Sequence, residues 1–255
     1  MKKTILTPLI ALLLLLSTTA LLPGDFWACL WESVRNTWDY YSLPLYFAAY
    51  TPPVRAVATA EKIAALTFDD GPDPRYALRI LQILDEYNVK ATFFVIGQAV
   101  QEHPELTRLI YQQGHALANH TYTHPGVDSL TLPEYNKQLS RTNHLLQQIS
   151  GARPVYYRPP KGIVTAEGME ACRRQGLQMV LWTVCLENKN SPTPVEMAER
   201  AAARTKPGAI ILVHDGRLNR QKSVEALPIL LKTLQQKGYS FVTLDYLLQQ
   251  RARYI

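Results

Sequence analysis

From Ile63 onward the sequence alternates short apolar runs with longer amphipathic or loop segments, and this alternation limits the fold more than any other feature. The runs lie at residues 63–68, 91–96, 115–119, 155–157, 178–184, 209–213 and 240–242. Apolar runs this short, bounded by turn residues, read as buried strands. The segments between them carry helix signals. Thr131 with Glu134 three residues on forms a capping-box pattern, Gly151 closes the segment that follows, and Lys237-Gly238 ends a helix beginning near Val224. Seven strand–helix units predict parallel strands with helical crossovers, hence an α/β barrel or doubly wound sheet and not a sandwich. With 255 residues, 47% of them apolar, the chain can bury one sizeable core.

In a barrel of this kind the chemistry gathers where strands end, and the informative polar residues sit there. Phe68-Asp69-Asp70-Gly71-Pro72 puts two adjacent carboxylates after the first strand. Neighbouring charges at a buried site are costly unless a cation or proton compensates them, so one Asp is expected to meet a metal. After the third strand, His120 and His124 stand four residues apart, a spacing that a helical turn or tight loop can aim at one point. With Asp70 they supply two nitrogens and one oxygen. That set suits Zn²⁺ or another divalent metal such as Co²⁺, Mn²⁺ or Ni²⁺, and leaves positions open for water and substrate. Arg158-Pro159-Pro160-Lys161-Gly162 follows the fourth strand and Leu212-Val213-His214-Asp215 ends the sixth. Taken singly, Arg158 reads as half of a structural ion pair and His214 as a structural histidine.

In this order, the segments Thr67–Pro72, Ala91-Thr92-Phe93-Phe94, Gly114 to His124, Arg158-Pro159-Pro160 and Leu212-Val213-His214-Asp215 resemble the polysaccharide deacetylase family, carbohydrate esterase family 4, whose catalytic unit is the NodB homology domain. The resemblance covers about 63–247 and implies a distorted (β/α)7 barrel related to the TIM barrel. It also implies Asp69 as general base, Asp70, His120 and His124 as metal ligands, and His214 as general acid. Arg158 would orient Asp69 and keep it ionised. Leu212 would line the pocket for the acetyl methyl, the N–H of Lys161 would donate to the oxyanion, and Pro159 and Trp182 join them as substrate-binding positions. The implied reaction is hydrolytic removal of N-acetyl groups, or O-acetyl groups, from a cell-wall or extracellular glycan such as peptidoglycan or a chitin-like polymer.

Two positions depart from the family pattern. Lys161 stands where an aromatic residue is usual. Asn188 and Lys189 stand where the family has Asp-Trp, the Asp being the carboxylate that supports the acid histidine. Asn188 therefore predicts a His214 that titrates lower than in relatives. Two further readings stay open: hydrolysis of another non-peptide C–N bond, as by a deformylase or imidase, and a metal-binding scaffold that has lost turnover.

The remaining expectations concern address and partners. Lys2 and Lys3 ahead of an apolar run to Leu22 predict a signal peptide or an uncleaved N-terminal membrane anchor over residues 1–22. Residues 23–60, rich in Trp and Tyr up to Tyr50, read as a lead-in that straps the barrel or contacts membrane or glycan. The deacetylase domain takes 61–255. Export to the periplasm, cell envelope or medium follows, with an acetylated polysaccharide as partner. The net charge of +6 comes from scattered Lys and Arg without a basic block, which argues against nucleic acid. Cys29 invites a lipoprotein reading that bulky Phe26 and Trp27 oppose, and Cys172 and Cys185 could pair or stay buried thiols.

Overall fold

The computed structural model describes residues 52–187 and 193–251. The leader, most of the aromatic lead-in, Cys29, Asn188 and Lys189 lie outside the described residues. Among those described, no helix is long and apolar enough to cross a membrane.

The centre of the fold is β1 (Ile63–Asp69), buried at every position. It runs parallel to β7 (Ala209–His214) on one side, in register from Ala64 beside Ala209 to Asp69 beside His214. On the other side, β8 (Ser240–Val242) pairs with its beginning and β2 (Thr92–Val95) with its end. The sheet continues through β3 (Ala116–Asn119) and β4 (Tyr156–Tyr157) to β5 (Gln178–Met179), while β6 (Val184–Cys185) pairs with β7. Every pairing between these strands is parallel, in the order β5-β4-β3-β2-β1-β7-β6 with β8 against β1. The helices are α1 (Ala77–Glu86), α2 (Gly97–Glu102), α3 (Pro104–Gln112), α4 (Leu132–Ser150), α5 (Ala166–Gln175), α6 (Pro194–Arg204), α7 (Gln221–Gln236) and α8 (Leu244–Arg251). This is a curled (β/α)7 half-barrel: the alternation predicts its parallel strands and helical crossovers, and the family resemblance its distorted (β/α)7 form. The capping box of Thr131 and Glu134 starts α4, and Gly151 ends it in the left-handed conformation.

One expected strand is divided. The run 178–184 forms β5 on β4 and then β6 on β7, because the backbone between them changes partners. The Leu181 N–H donates to Val54 O (2.7 Å) and the Thr183 N–H to Ile210 O (3.1 Å). The end of the lead-in fills the opening: Val54 bridges Val180, Ala56 bridges Ala209, and Val54 and Val57 are buried. Gly208 is required at this seam, since it sits at φ +75° and a Cβ there would lie 1.7 Å from Val57 O.

Strand alternation sorts the side chains of β1 into two layers. Ala64, Leu66 and Phe68 pack outward with Ile80, Leu84 and Leu230 of the helices. Ala65 faces an inner cluster with Phe94, Ala118, Ile210 and, from α8, Leu244 and Leu247. Thr67 and Asp69 share the parity of Ala65, so the last carboxylate of β1 points into the barrel.

Candidate active site

The parallel register brings the ends of β1, β3, β4, β6 and β7 to one edge. The backbone there is held in unusual conformations. Asp70, Thr121, His124, Lys161 and Arg217 all have positive φ, a region that non-glycine residues occupy when surrounding contacts enforce it. Asn119, wholly buried at the end of β3, enforces one of these turns. Its Oδ1 accepts from the Thr121 N–H (2.8 Å), and its Nδ2 donates to Leu139 O and Asn143 Oδ1 on α4. Thr121 Oγ1 in turn accepts from the His124 N–H (3.1 Å).

The turn so fixed aims both imidazoles at the carboxylate after β1. His120 Nε2 lies 3.6 Å and His124 Nε2 3.3 Å from Asp70 Oδ1. Asp70 Oδ1 is buried and has no hydrogen-bond partner among the described residues, whereas Oδ2 accepts from Arg220 Nη2 (3.2 Å). One ligand atom from each of the three residues falls within 4.8 Å of the others. An ion with ligand bonds of about 2.0–2.1 Å sets neighbouring N and O ligands about 3.3 Å apart at tetrahedral angles, so these residues fit a divalent metal. His120 Nδ1 donates to Arg158 O (2.7 Å), which leaves Nε2 as the ligand atom. Burial works to raise the Asp70 carboxyl, but the close approach of His120 and the charges of His120, His214 and His124 outweigh it and hold the group at about 2. Burial, together with the charges of His120 and Arg217, brings His124 down to about 4 against the pull of Asp70, leaving a neutral ring at neutral pH.

Asp69 is held by the inner layer. Arg158, completely buried, donates from Nη1 to Asp69 Oδ1 (2.7 Å) and Thr67 Oγ1 (2.9 Å). Its Nε and Nη2 donate to Val180 O and Leu181 O at the divided strand, and its guanidinium stacks 4.1 Å from the Phe94 ring centre. Four acceptors and an aromatic face thus offset the cost of burying the cation. Asp69 Oδ2 faces His120 Nε2 at 3.8 Å, so Asp69 and the metal cradle share a wall.

On the other side stands His214, half-buried at the end of β7. The expectation that it lacks a carboxylate is corrected here. Glu187, one residue before Asn188, places Oε2 3.1 Å from His214 Nδ1, and its Oε1 accepts from the His214 N–H (2.9 Å) and Ser223 Oγ (2.8 Å). Burial pulls His214 down, but the hydrogen bond to Glu187 and that group's charge, with Asp69 and Asp70 behind it, raise it above its ordinary value. The charge that Asn188 cannot supply is therefore supplied by Glu187. Glutamate carries its carboxylate one methylene farther than aspartate, which the motif's spacing did not reveal.

The other predicted residues are spread around this centre. Pro159 is buried and Lys161 exposed in a short 3-10 turn (Pro160–Gly162), where a Cβ on Gly162 would come within 2.7 Å of the Trp182 ring. Leu212 is buried in β7. Cys172 and Cys185 are free thiols, so the alternative in which they pair does not hold. Groups that the sequence reading passed over are Glu187, Ser223, Arg217, Arg220 and Asp215. Arg217 Nη1 donates to His124 Nδ1 and stands 4.0 Å from Asp70 Oδ1. Asp215 is completely buried with both oxygens unpartnered among the described residues, and burial, with the charges of Asp70 and Asp69, raises its carboxyl well above the usual range. Gly216 follows it because a Cβ there would lie 2.2 Å from Asp70 O. A cleft of about 430 Å³ opens beside the cradle, lined by Asp70, Ile96, Gln98, Thr123, His124 and Arg217 among others.

Two imidazoles and a carboxylate that fit a metal, beside a buried ion-paired carboxylate and a carboxylate-backed histidine, are groups of the kind that metal-assisted hydrolysis needs, gathered at the carboxyl edge of a (β/α)7 sheet. The pattern of the polysaccharide deacetylase family matches residues 56–180. A peptidoglycan-N-acetylglucosamine deacetylase of Bacillus cereus is 31% identical over 234 residues, spanning 90% of this chain and 82% of that protein. The crystal structure of a peptidoglycan N-acetylglucosamine deacetylase superposes with a TM-score of 0.74 at 31% identity, over 80% of this chain and 96% of the other. A CE4-family pseudoenzyme from Bacillus anthracis superposes with a TM-score of 0.72 at 28% identity, over 77% of this chain and 69% of the other. The chain belongs to the polysaccharide deacetylase family, hydrolases that act on N-acetyl amide bonds.

Proposed function

We propose that this chain removes N-acetyl groups from an amino-sugar polymer of the cell wall or extracellular matrix, with Asp70, His120 and His124 holding Zn²⁺. The observation that carries the reading is the joint placement of three unlike groups. The cradle leaves Asp70 Oδ1 unpartnered, Asp69 shares its wall at 3.8 Å from His120, and His214 is backed by Glu187. A divalent ion in the cradle supplies Lewis acidity, polarising the acetyl carbonyl and making water easier to deprotonate.

The chain's own residues do the rest. Asp69 accepts the proton of the attacking water, and the Arg158 guanidinium keeps it ionised and oriented for that task. The Lys161 N–H donates to the developing oxyanion, a contact typically worth ~3 kcal/mol. His214 then gives a proton to the departing sugar nitrogen, which would be a poor leaving group as an anion. Leu212 and Trp182 with Pro159 bound the acetyl group and the sugar. Cell-wall substrates of the relatives support a site of action outside the cytoplasm, and the Lys2-Lys3 leader supports export.

The likeness to a pseudoenzyme favours a second reading, metal binding without turnover. The two pairs Asp69–Arg158 and Glu187–His214, both formed, argue for turnover instead. Acetate release from acetylated glucosamine oligomers and from peptidoglycan, measured before and after chelation and again with zinc restored, decides between them. Release that disappears with chelator, returns with zinc and is absent in Asp69→Asn is expected. Bound zinc with no acetate from any acetylated glycan would establish the second reading.

A further inference from the structure

A second group of atoms able to ligate a metal gathers around His214 Nδ1. Cys185 Sγ, at the end of β6, is 3.5 Å from Glu187 Oε2, and His214 Nδ1 is 3.1 Å from the same oxygen. Ligand atoms from all three residues fall within 4.8 Å of one another, and all three residues are half-buried, so solvent ions can reach them. Glu187 is fixed in place, since its Oε1 is taken by the His214 N–H and Ser223 Oγ, which turns Oε2 toward the thiol and the ring.

In this arrangement two protons, one on Sγ and one on Nδ1, point at a single carboxylate oxygen. A divalent cation can replace both. With Zn–S of about 2.3 Å and Zn–N and Zn–O of about 2.0 Å, tetrahedral angles set S and O about 3.5 Å apart and N and O about 3.3 Å apart. The separations present without an ion are already close to those edges. Thiolate, imidazole and carboxylate together are a ligand set that favours zinc and its heavier, softer relatives over magnesium or calcium.

We propose that Cys185, Glu187 and His214 form a second cation site, separate from the Asp70-His120-His124 cradle, which takes one thiophilic divalent ion and thereby stops turnover. Uptake releases to solvent the Sγ proton and, from the imidazolium form of His214, the Nδ1 proton, which leaves a neutral ring protonated on Nε2; bonds form from the ion to Sγ, Nδ1 and Oε2, and a fourth position is left for water. The inhibitory half of this proposal rests on His214 serving as the proton donor. With an ion on Nδ1, no imidazolium remains to give a proton to a departing amine, and Glu187 is spent on the ion.

The test uses the full chain loaded with one equivalent of zinc and then titrated with Cd²⁺, whose bond to thiolate has its own ultraviolet absorption. Wild type and Cys172→Ser are expected to take up a second ion with the thiolate band, and Cys185→Ser to lose that band. Glu187→Gln, which keeps the side-chain shape, is expected to bind the second ion about tenfold more weakly or worse. Inhibition of acetate release by excess zinc should weaken by a similar factor in Cys185→Ser. A thiolate band that persists in Cys185→Ser, or a wild-type chain that takes up no second ion, overturns the proposal. The absorption does not depend on turnover, so a chain that releases no acetate with one equivalent of zinc, before any second ion is added, and yet takes up Cd²⁺ with the thiolate band refutes the deacetylase reading and leaves this site standing.

Discussion

The pairing of His214 with Glu187 has a consequence for pH. The general acid proposed here, His214, works while protonated, and Glu187 raises it, so activity should be retained below the folded-state pKa and lost as pH rises through it. Glu187→Gln keeps a hydrogen-bond partner but removes the charge. The alkaline limb of the pH–rate profile should then move to lower pH, with a loss of about tenfold or more at the wild-type optimum. An unmoved alkaline limb would dissociate Glu187 from the acid. Arg217 permits an opposite kind of test. Its guanidinium donates to His124 Nδ1, and a neutral ring that accepts there carries its proton on Nε2, the atom the cradle needs for an ion. Its charge also stands 4.0 Å from the unpartnered Asp70 Oδ1. Arg217→Ala should therefore bind zinc about two- to fivefold more tightly in a chelator competition, a gain that shrinks with added salt because Arg217 is largely exposed.

At the scale of elements, the seam between β5 and β7 decides how the site is braced. The divided strand turns Val180 O and Leu181 O inward, where they accept from Arg158, so the posture of Asp69 depends on a backbone detour two strands away. The 54–57 segment holds that detour, and Gly208 admits it by coming within contact of Val57 O. Gly208→Ala combines a positive-φ penalty with a backbone collision and should cost about 2 kcal/mol or more of stability in urea unfolding. The same substitution should lower kcat more than KM by loosening the Arg158–Asp69 pair. The alternation of apolar runs announced β5 and β6 only as one strand. Periodicity reports that side chains are buried, whereas the change of neighbour from β4 to β7 arises from pairings with residues far away in the chain.

For the molecule as a whole, the cradle ties together loops after β1 and β3 that are joined in sequence only through α1, β2, α2 and α3. An ion bound to the folded state alone stabilises it by mass action, about 2.7 kcal/mol at a free concentration about 100-fold above Kd. Zinc should accordingly raise Tm in proportion to the logarithm of its concentration, and His120→Ala should abolish most of that rise. A Tm indifferent to zinc in the wild-type chain would deny the cradle its role whatever the activity.

The sequence by itself determined the (β/α) plan and the residues of the cradle. Strand burial follows from local apolar pattern, and the ends of parallel strands are the one place where Asp70, His120 and His124 can meet. It also put Asp69, Arg158 and His214 at that edge. Tertiary structure alone decided which carboxylate faces His214. The path after β6 is set by the pairing of Cys185 with Leu212 and by the Leu186 N–H on Leu212 O. Those bonds bring Glu187 to His214 and Ser223, contacts between segments 27 and 36 residues apart that no local spacing encodes. A hydrogen-bond partner is chosen by distance in space, and a shift of one residue along the chain is offset by one more methylene in the side chain.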